Sequence, residues 1–177
     1  MKIFKNKEQL KHEIGNKKSV SFVPTMGGLH KGHISLIKTA KKYSKETLVS
    51  IYVNPKQFNK KEDYKNYPRN LTKDLKILRK LKVNYIYLPT YKDLFKFKPS
   101  HKIYLHKFAN KLCGKYRKGN FKRVLDVVKR FLEIIRNTYL LLCLKDFQQL
   151  ILIKKHRIKH KIVNQITKCK TEIKPGV

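Results

Sequence analysis

The sequence predicts an α/β fold, a parallel sheet with helices on both faces. Apolar runs of strand length recur along the chain, and stretches with helical spacing lie between most of them. The glycine-rich and polar segments with chemical character follow directly on predicted strands, as in sheets whose ligands bind beyond the carboxyl ends of parallel strands. The predicted strands are Val20–Val23, Leu48–Val53, Val83–Leu88, Tyr139–Leu144 and Lys161–Ile166. Their near-continuous apolar character suits burial on both faces.

Taken in order, Ser19-Val-Ser-Phe-Val23 reads as a buried strand, and Ile34 to Tyr43 has helical spacing. The segment Asn70 to Leu81 begins just past Pro68 and puts Leu71, Leu75 and Leu78 on one helical face. Phe121 to Ile135 carries an apolar stripe of Phe121, Val124, Leu125, Val128, Phe131, Leu132 and Ile135. Asp146 to Lys155 reads as a short helix with Asp146 as a first-turn anion. Between Tyr91 and Gly119, Pro99 and Gly114 punctuate the chain and Lys102–Phe108 alternates weakly, which predicts loops with a short strand. No internal repeat or linker composition divides the chain, so residues 1–177 are expected to form a single domain.

The net charge is +33, from 44 Lys and Arg against 11 Asp and Glu. Such a field attracts polyanions, but the lysines are spread over the whole length rather than gathered in an arm or stripe. A solvated basic surface is therefore favoured over a dedicated nucleic-acid face, which stays open as an alternative. The three cysteines, Cys113, Cys143 and Cys169, lie far apart and form no CxxC pair, which argues against a zinc site and a disulfide framework and suits a reducing cytoplasm. The amino-terminal residues lack the apolar core of a signal peptide, and the longest apolar run, Tyr139–Leu144, is too short to span a bilayer.

The chemistry concentrates in Pro24-Thr-Met-Gly-Gly-Leu-His-Lys-Gly-His33. A strand, a glycine-rich turn and a helix start make an anion site, with backbone N–H groups pointing outward and the helix dipole favouring negative charge. His30 and His33, three residues apart, add protonatable donors that can face one ligand, here the phosphates of a nucleotide. Gly27, Gly28 and Gly32 are also compatible with a plain tight connection. The segment is neither the Walker pattern nor the GxGxxG fingerprint.

The His-x-Gly-His turn after a strand resembles the nucleotidyltransferase-like Rossmann enzymes, and Val23 to His33 is similar to the signature of the pantothenate synthetase (pantoate–β-alanine ligase) family. Three later segments match that family in order: Val49-Ser-Ile-Tyr-Val-Asn-Pro-Lys-Gln-Phe58, Asp63-Tyr-Lys-Asn-Tyr-Pro-Arg69 and Lys145-Asp-Phe-Gln-Gln149. The resemblance implies condensation of pantoate with β-alanine through a pantoyl-adenylate, with ATP as substrate and Mg²⁺ as its companion. It implies ATP contacts from Met26, Gly27, Gly28, Leu29, His30, Lys31, Gly32 and His33, and from Cys143, Leu144, Lys145 and Asp146. His33 resembles the proton donor, and His30 and Lys145 join it as catalytic candidates. By the same resemblance Gln57 contacts pantoate and β-alanine, Gln149 contacts pantoate and Asn54 helps line that pocket, where an amide can both donate and accept. No metal ligand is assigned. A homodimer in the cytoplasm is the expected assembly.

Several positions depart from the family pattern. Arg117-Lys-Gly-Asn-Phe121 stands for Arg-Pro-Gly-His-Phe, so Asn120 replaces a histidine; Arg123 replaces a glycine, and Asp126 a small hydroxyl residue. Leu142-Cys-Leu-Lys-Asp146 stands for Phe-Gly-Glu-Lys-Asp, so Cys143 adds a side chain where backbone approaches the nucleotide. The family continues into a Ser-Ser-Arg-Asn loop and a small C-terminal domain, which are expected to be missing beyond Val177, with impaired turnover as the consequence. The alternatives are a nucleotidyltransferase using the same turn on another small acceptor, and a noncatalytic basic module binding nucleic acid.

Overall fold

The computed structural model describes residues 1–17, 19–111, 115, 119–136, 138–143, 147–160 and 165–169. The chain runs β1 (Lys2–Phe4), α1 (Lys7–Ile14), β2 (Val20–Thr25), α2 (Lys31–Ala40), β3 (Glu46–Ile51), a 3₁₀ turn at Pro55–Gln57, α3 (Lys61–Lys65) and α4 (Leu71–Lys80). It continues with β4 (Tyr85–Tyr87), α5 (Tyr91–Phe95), a 3₁₀ turn at Lys107–Asn110, α6 (Asn120–Ile134), β5 (Thr138–Cys143), α7 (Phe147–Lys159) and β6 (Gln165–Cys169). The strands form one six-stranded sheet in the order β1-β4-β3-β2-β5-β6, with every pairing parallel. The α/β expectation holds, with β1 as an added edge strand.

Strand alternation divides the core into two. Phe22, Leu48, Tyr85, Tyr87, Leu140 and Leu142 face one cluster with residues of α1, α5, α6 and α7. Val23, Val49, Ile86 and Leu141, one residue out of phase, face the other with Leu36, Ile37 and Ala40 of α2 and Leu78 of α4. The predicted stripe of α6 is the heart of the first cluster, where Phe131 meets the ring of Phe22 at 5.4 Å and that of Tyr87 at 6.1 Å.

Two expectations change. The alternating segment 102–108 is not a strand. Its Tyr104 N–H donates to Nδ1 of His156 on α7 at 3.1 Å rather than to a sheet neighbour, and Thr90 caps the unforeseen helix α5 by accepting from Asp93 N–H at 3.2 Å. On α4, Leu71 is 44% exposed, and the inward position one turn before Leu78 is taken by Asp74. The predicted strand start at 161–164 lies outside the described residues.

The strand order fixes where a ligand can enter. From β2 the chain moves through β3 and β4 to one side of the sheet, then crosses to β5 on the other side of β2. The reversal leaves a crevice at the carboxyl ends of β2 and β5.

On α7, His156 is fully enclosed, its ring 4.7 Å from that of His160, with Lys129 of α6 buried nearby and donating to the His101 carbonyl at 2.8 Å. Burial, reinforced by His160 and Lys129, pulls His156 down from 6.5 to about 4. The unfolded chain takes up this proton near pH 6.5 and the folded chain only near pH 4. Stability is therefore full above pH 6.5 and falls as pH drops toward 4, by on the order of 3 kcal/mol from this group. Denaturant titrations across that window should show the slope, and His156→Gln, which keeps an acceptor for Tyr104 N–H, should flatten it.

Candidate active site

A cleft of about 570 Å³ opens at the switch point. The three segments that follow β2, β3 and β5 line it: Pro24, Thr25, Met26 and His33 from the first, Tyr52, Asn54, Gln57 and Phe58 from the second, and Cys143 and Gln149 from the third. Asn59, Asp63, Tyr67 and Asn120 complete its rim, and Val124, Val127, Val128 and Phe131 of α6 its apolar wall. The volume lies within the usual range for small-molecule sites.

The turn after β2 is locked from within. Thr25 Oγ1 donates to the Ser50 carbonyl at 2.8 Å and accepts from Gly27 N–H at 3.2 Å. Gly27 and Gly28 take φ of +79° and +62°, conformations that a side chain would strain. The N–H groups of Gly28 and Leu29 donate to the two carboxylate oxygens of Asp74, at 3.0 and 2.8 Å. Gly32 N–H donates to His30 Nδ1 at 3.1 Å, and His30 N–H to His33 Nδ1 at 3.3 Å, a reciprocal cap on α2.

These bonds correct the expectation that the turn's backbone N–H groups face an anion. Those of Gly27, Gly28, Leu29, His30 and Gly32 all have partners inside the protein. What the turn offers is imidazole. With Nδ1 accepting, each neutral ring carries its hydrogen on Nε2. The rings lie 4.2 Å apart; His33 lines the cleft, and His30 is exposed beside it. Burial, then the His30 ring, pulls His33 down to about 4 against the opposing pull of Asp74. At neutral pH His33 is thus an uncharged hydrogen-bond donor.

After β3, Asn54 starts the 3₁₀ turn that presents Gln57, its Oδ1 accepting from Lys56 N–H at 3.2 Å. Asn54 is 1% exposed, and among the described residues its Nδ2 has no partner. The same holds for the hydroxyl of Tyr52, which burial, with Tyr91 and Tyr64 nearby, pushes up to about 12. Met26, Gln57 and Gln149 line the cleft, and Gly27, Gly28, Leu29, Lys31 and Gly32 shape or flank the turn. Leu144, Lys145 and Asp146 lie outside the described residues.

Residue-by-residue reading missed Asp74, Tyr52 and Tyr67. The signal for Asp74 was a carboxylate one turn before Leu78 on the inward face of α4. The departures Asn120 and Cys143 both line the cleft. Asp126 pairs with Arg130 at 3.1 Å, away from the cleft lining. Arg123 reaches back to the loop that carries Gln57: its Nη1 donates to the carbonyls of Lys56 and Phe58 at 3.0 and 3.5 Å and to Asn59 Oδ1 at 3.1 Å. Arg123→Ala should therefore cost about 1 kcal/mol and speed amide exchange in residues 56–59, measured by mass spectrometry, with less change at the His30–His33 cap.

Residues 2–175 match the family described as Pantoate-beta-alanine ligase. A pantothenate synthetase of Thermosipho africanus is 40% identical over 153 residues, which are 84% of this chain and 55% of that protein. One from Francisella tularensis subsp. novicida is 39% identical over 179 residues, 97% of this chain and 66% of that protein. The chain thus spans between about half and two thirds of the length of these relatives. Among solved structures, pantoate-beta-alanine ligase from Francisella tularensis, complexed with beta-gamma ATP and beta-alanine, has a TM-score of 0.91 and 40% identity, covering 99% of this chain and 69% of that one. The Thermus thermophilus enzyme has a TM-score of 0.90 and 27% identity, covering 98% of this chain and 63% of that one. With the match running through nearly all of its residues, the chain belongs to the pantoate-beta-alanine ligase family.

Proposed function

We propose that this chain binds ATP and pantoate in the switch-point cleft and joins pantoate to β-alanine through a pantoyl-adenylate. The observation that carries the reading is the meeting of three distant motifs in one cleft: Met26 and His33, Asn54 and Gln57, and Cys143 and Gln149. A relative of 40% identity has been solved with beta-gamma ATP and beta-alanine, which supports the same ligand classes here.

In the first step the pantoate carboxylate attacks the α-phosphorus of ATP, and pyrophosphate leaves. In the second the β-alanine amine attacks the acyl carbon, AMP leaves and pantothenate is released. The first step needs positioned donors more than covalent help. His33, with His30 beside it, supplies Nε2–H bonds to phosphate oxygens, and Met26 packs against the nucleotide. Gln57, Gln149 and Asn54 hold the hydroxyl and carboxylate groups of pantoate. Lys145 brings a point charge to the phosphates, with Cys143, Leu144 and Asp146 along the nucleotide.

Among the described residues, no group of three or more histidine, cysteine, aspartate or glutamate side chains is gathered to hold a metal ion. The Mg²⁺ expected with ATP therefore finds no protein cage in them, and no step here depends on it. A single domain over residues 1–177, supported by the absence of linker composition, a cytoplasmic location, supported by the spacing of the cysteines, and a homodimer, supported by the family resemblance, belong to this reading. A phosphorylated acceptor, as a nucleotidyltransferase would use, calls for cations where Gln57 and Gln149 stand.

The purified chain, given ATP, pantoate and β-alanine, should release AMP and pyrophosphate in step with pantothenate. AMP that never appears, or appears only with another acceptor, overturns the reading. His33→Ala should slow the reaction by on the order of 10²–10³ and, because the ring also caps α2, lower stability by about 1 kcal/mol.

A further inference from the structure

The carboxylate of Asp74 occupies the place where an anion-binding turn holds its anion. It is 2% exposed, comes from α4, and accepts from two successive N–H groups of the turn. The fit is close: a Cβ on Gly27 would stand 2.9 Å from Oδ2 of Asp74. An apolar residue at this inward position would serve the packing of α4 against the sheet, with Leu78 one turn further on. Burying a carboxylate instead is costly unless its bonds are well made, and here both oxygens meet N–H donors.

We propose that Asp74 is a positioning residue for nucleotide recognition, fixing the turn so that His33 presents Nε2–H to the phosphates while the turn's own N–H groups stay closed to them. The proposal rests on the nucleotide reading above and deepens it. Two consequences follow from the geometry. The Asp74 bonds set the path of residues 28 and 29, which lead directly into the His30 cap, so the aim of the imidazoles depends on them. A negative charge behind the turn also disfavours a phosphate seated on the turn itself, and directs the triphosphate toward the cleft side of His33. The pull of Asp74 on His33, opposing burial, places the two groups within electrostatic reach.

Asp74→Asn is nearly isosteric, removes the charge and points an amide donor at a backbone donor. Calorimetry on the variant should show ATP binding at least tenfold weaker than in the unaltered chain and pantoate binding within twofold. ¹⁵N spectra should show the His33 ring losing its fixed Nε2–H form. Unchanged ATP affinity, or equal weakening for ATP and pantoate, overturns the proposal. Should the variant not fold, the unaltered chain decides. On addition of ATP the His33 Nε2 resonance should move while the Gly28 and Leu29 amides stay protected from exchange. ATP that displaces the carboxylate, seen as large shifts of those amides, overturns the proposal. No uptake of ATP by the unaltered chain overturns the nucleotide reading and this proposal together, whereas uptake with equal affinity by both proteins overturns this proposal alone.

Discussion

The position of β2 in the sheet is the constraint on which the rest depends. It is hydrogen-bonded in parallel to β3 on one side and β5 on the other, and the chain leaves it toward opposite edges. No helix can close the gap where the direction reverses, so the carboxyl ends of β2 and β5 border an opening. Three loops that are far apart in sequence must end there. The cleft is thus a consequence of strand order, and the chemistry is what the loops bring to it.

The loop after β2 shows how little freedom such a site has. Its N–H groups are claimed by Thr25, Asp74, His30 and His33, and its two glycines take left-handed conformations. The cap of α2 is built from a pair of imidazoles. One nitrogen of each ring holds the backbone, leaving the other for an incoming group. Any group that bonds to the remaining nitrogens is therefore coupled to the cap of α2.

Much of this was legible in the sequence because the signals were periodic or punctuated. The core strands and the long apolar stripe of α6 follow from spacing alone, and the segments after β2 and β3 were placed correctly relative to their strands. What escaped was either too short or too distant. β1 has three residues, too few for a period, and pairs with β4 more than 80 positions on, at Lys2↔Tyr85. The Lys102–Phe108 alternation misled because the Tyr104 N–H goes to a histidine side chain on α7 and the Phe108 N–H to the His106 side chain. Asp74 escaped because a lone carboxylate in a helix says nothing of the turn it holds 45 and 46 residues earlier. Arg123 reads in the sequence only as a replaced glycine, and its role as a strut emerges only when the 56–59 loop is beside it.

The scarce carboxylates bear on folding itself. Of the 11 acidic side chains, Asp74 closes the turn, Asp93 joins the Lys7 amide and the Tyr87 hydroxyl, and Glu133 receives Ser100. An expanded chain at +33 repels itself, and these internal tethers oppose that repulsion only once the elements have come together. Salt in the medium, by screening that repulsion, consequently favours the compact chain.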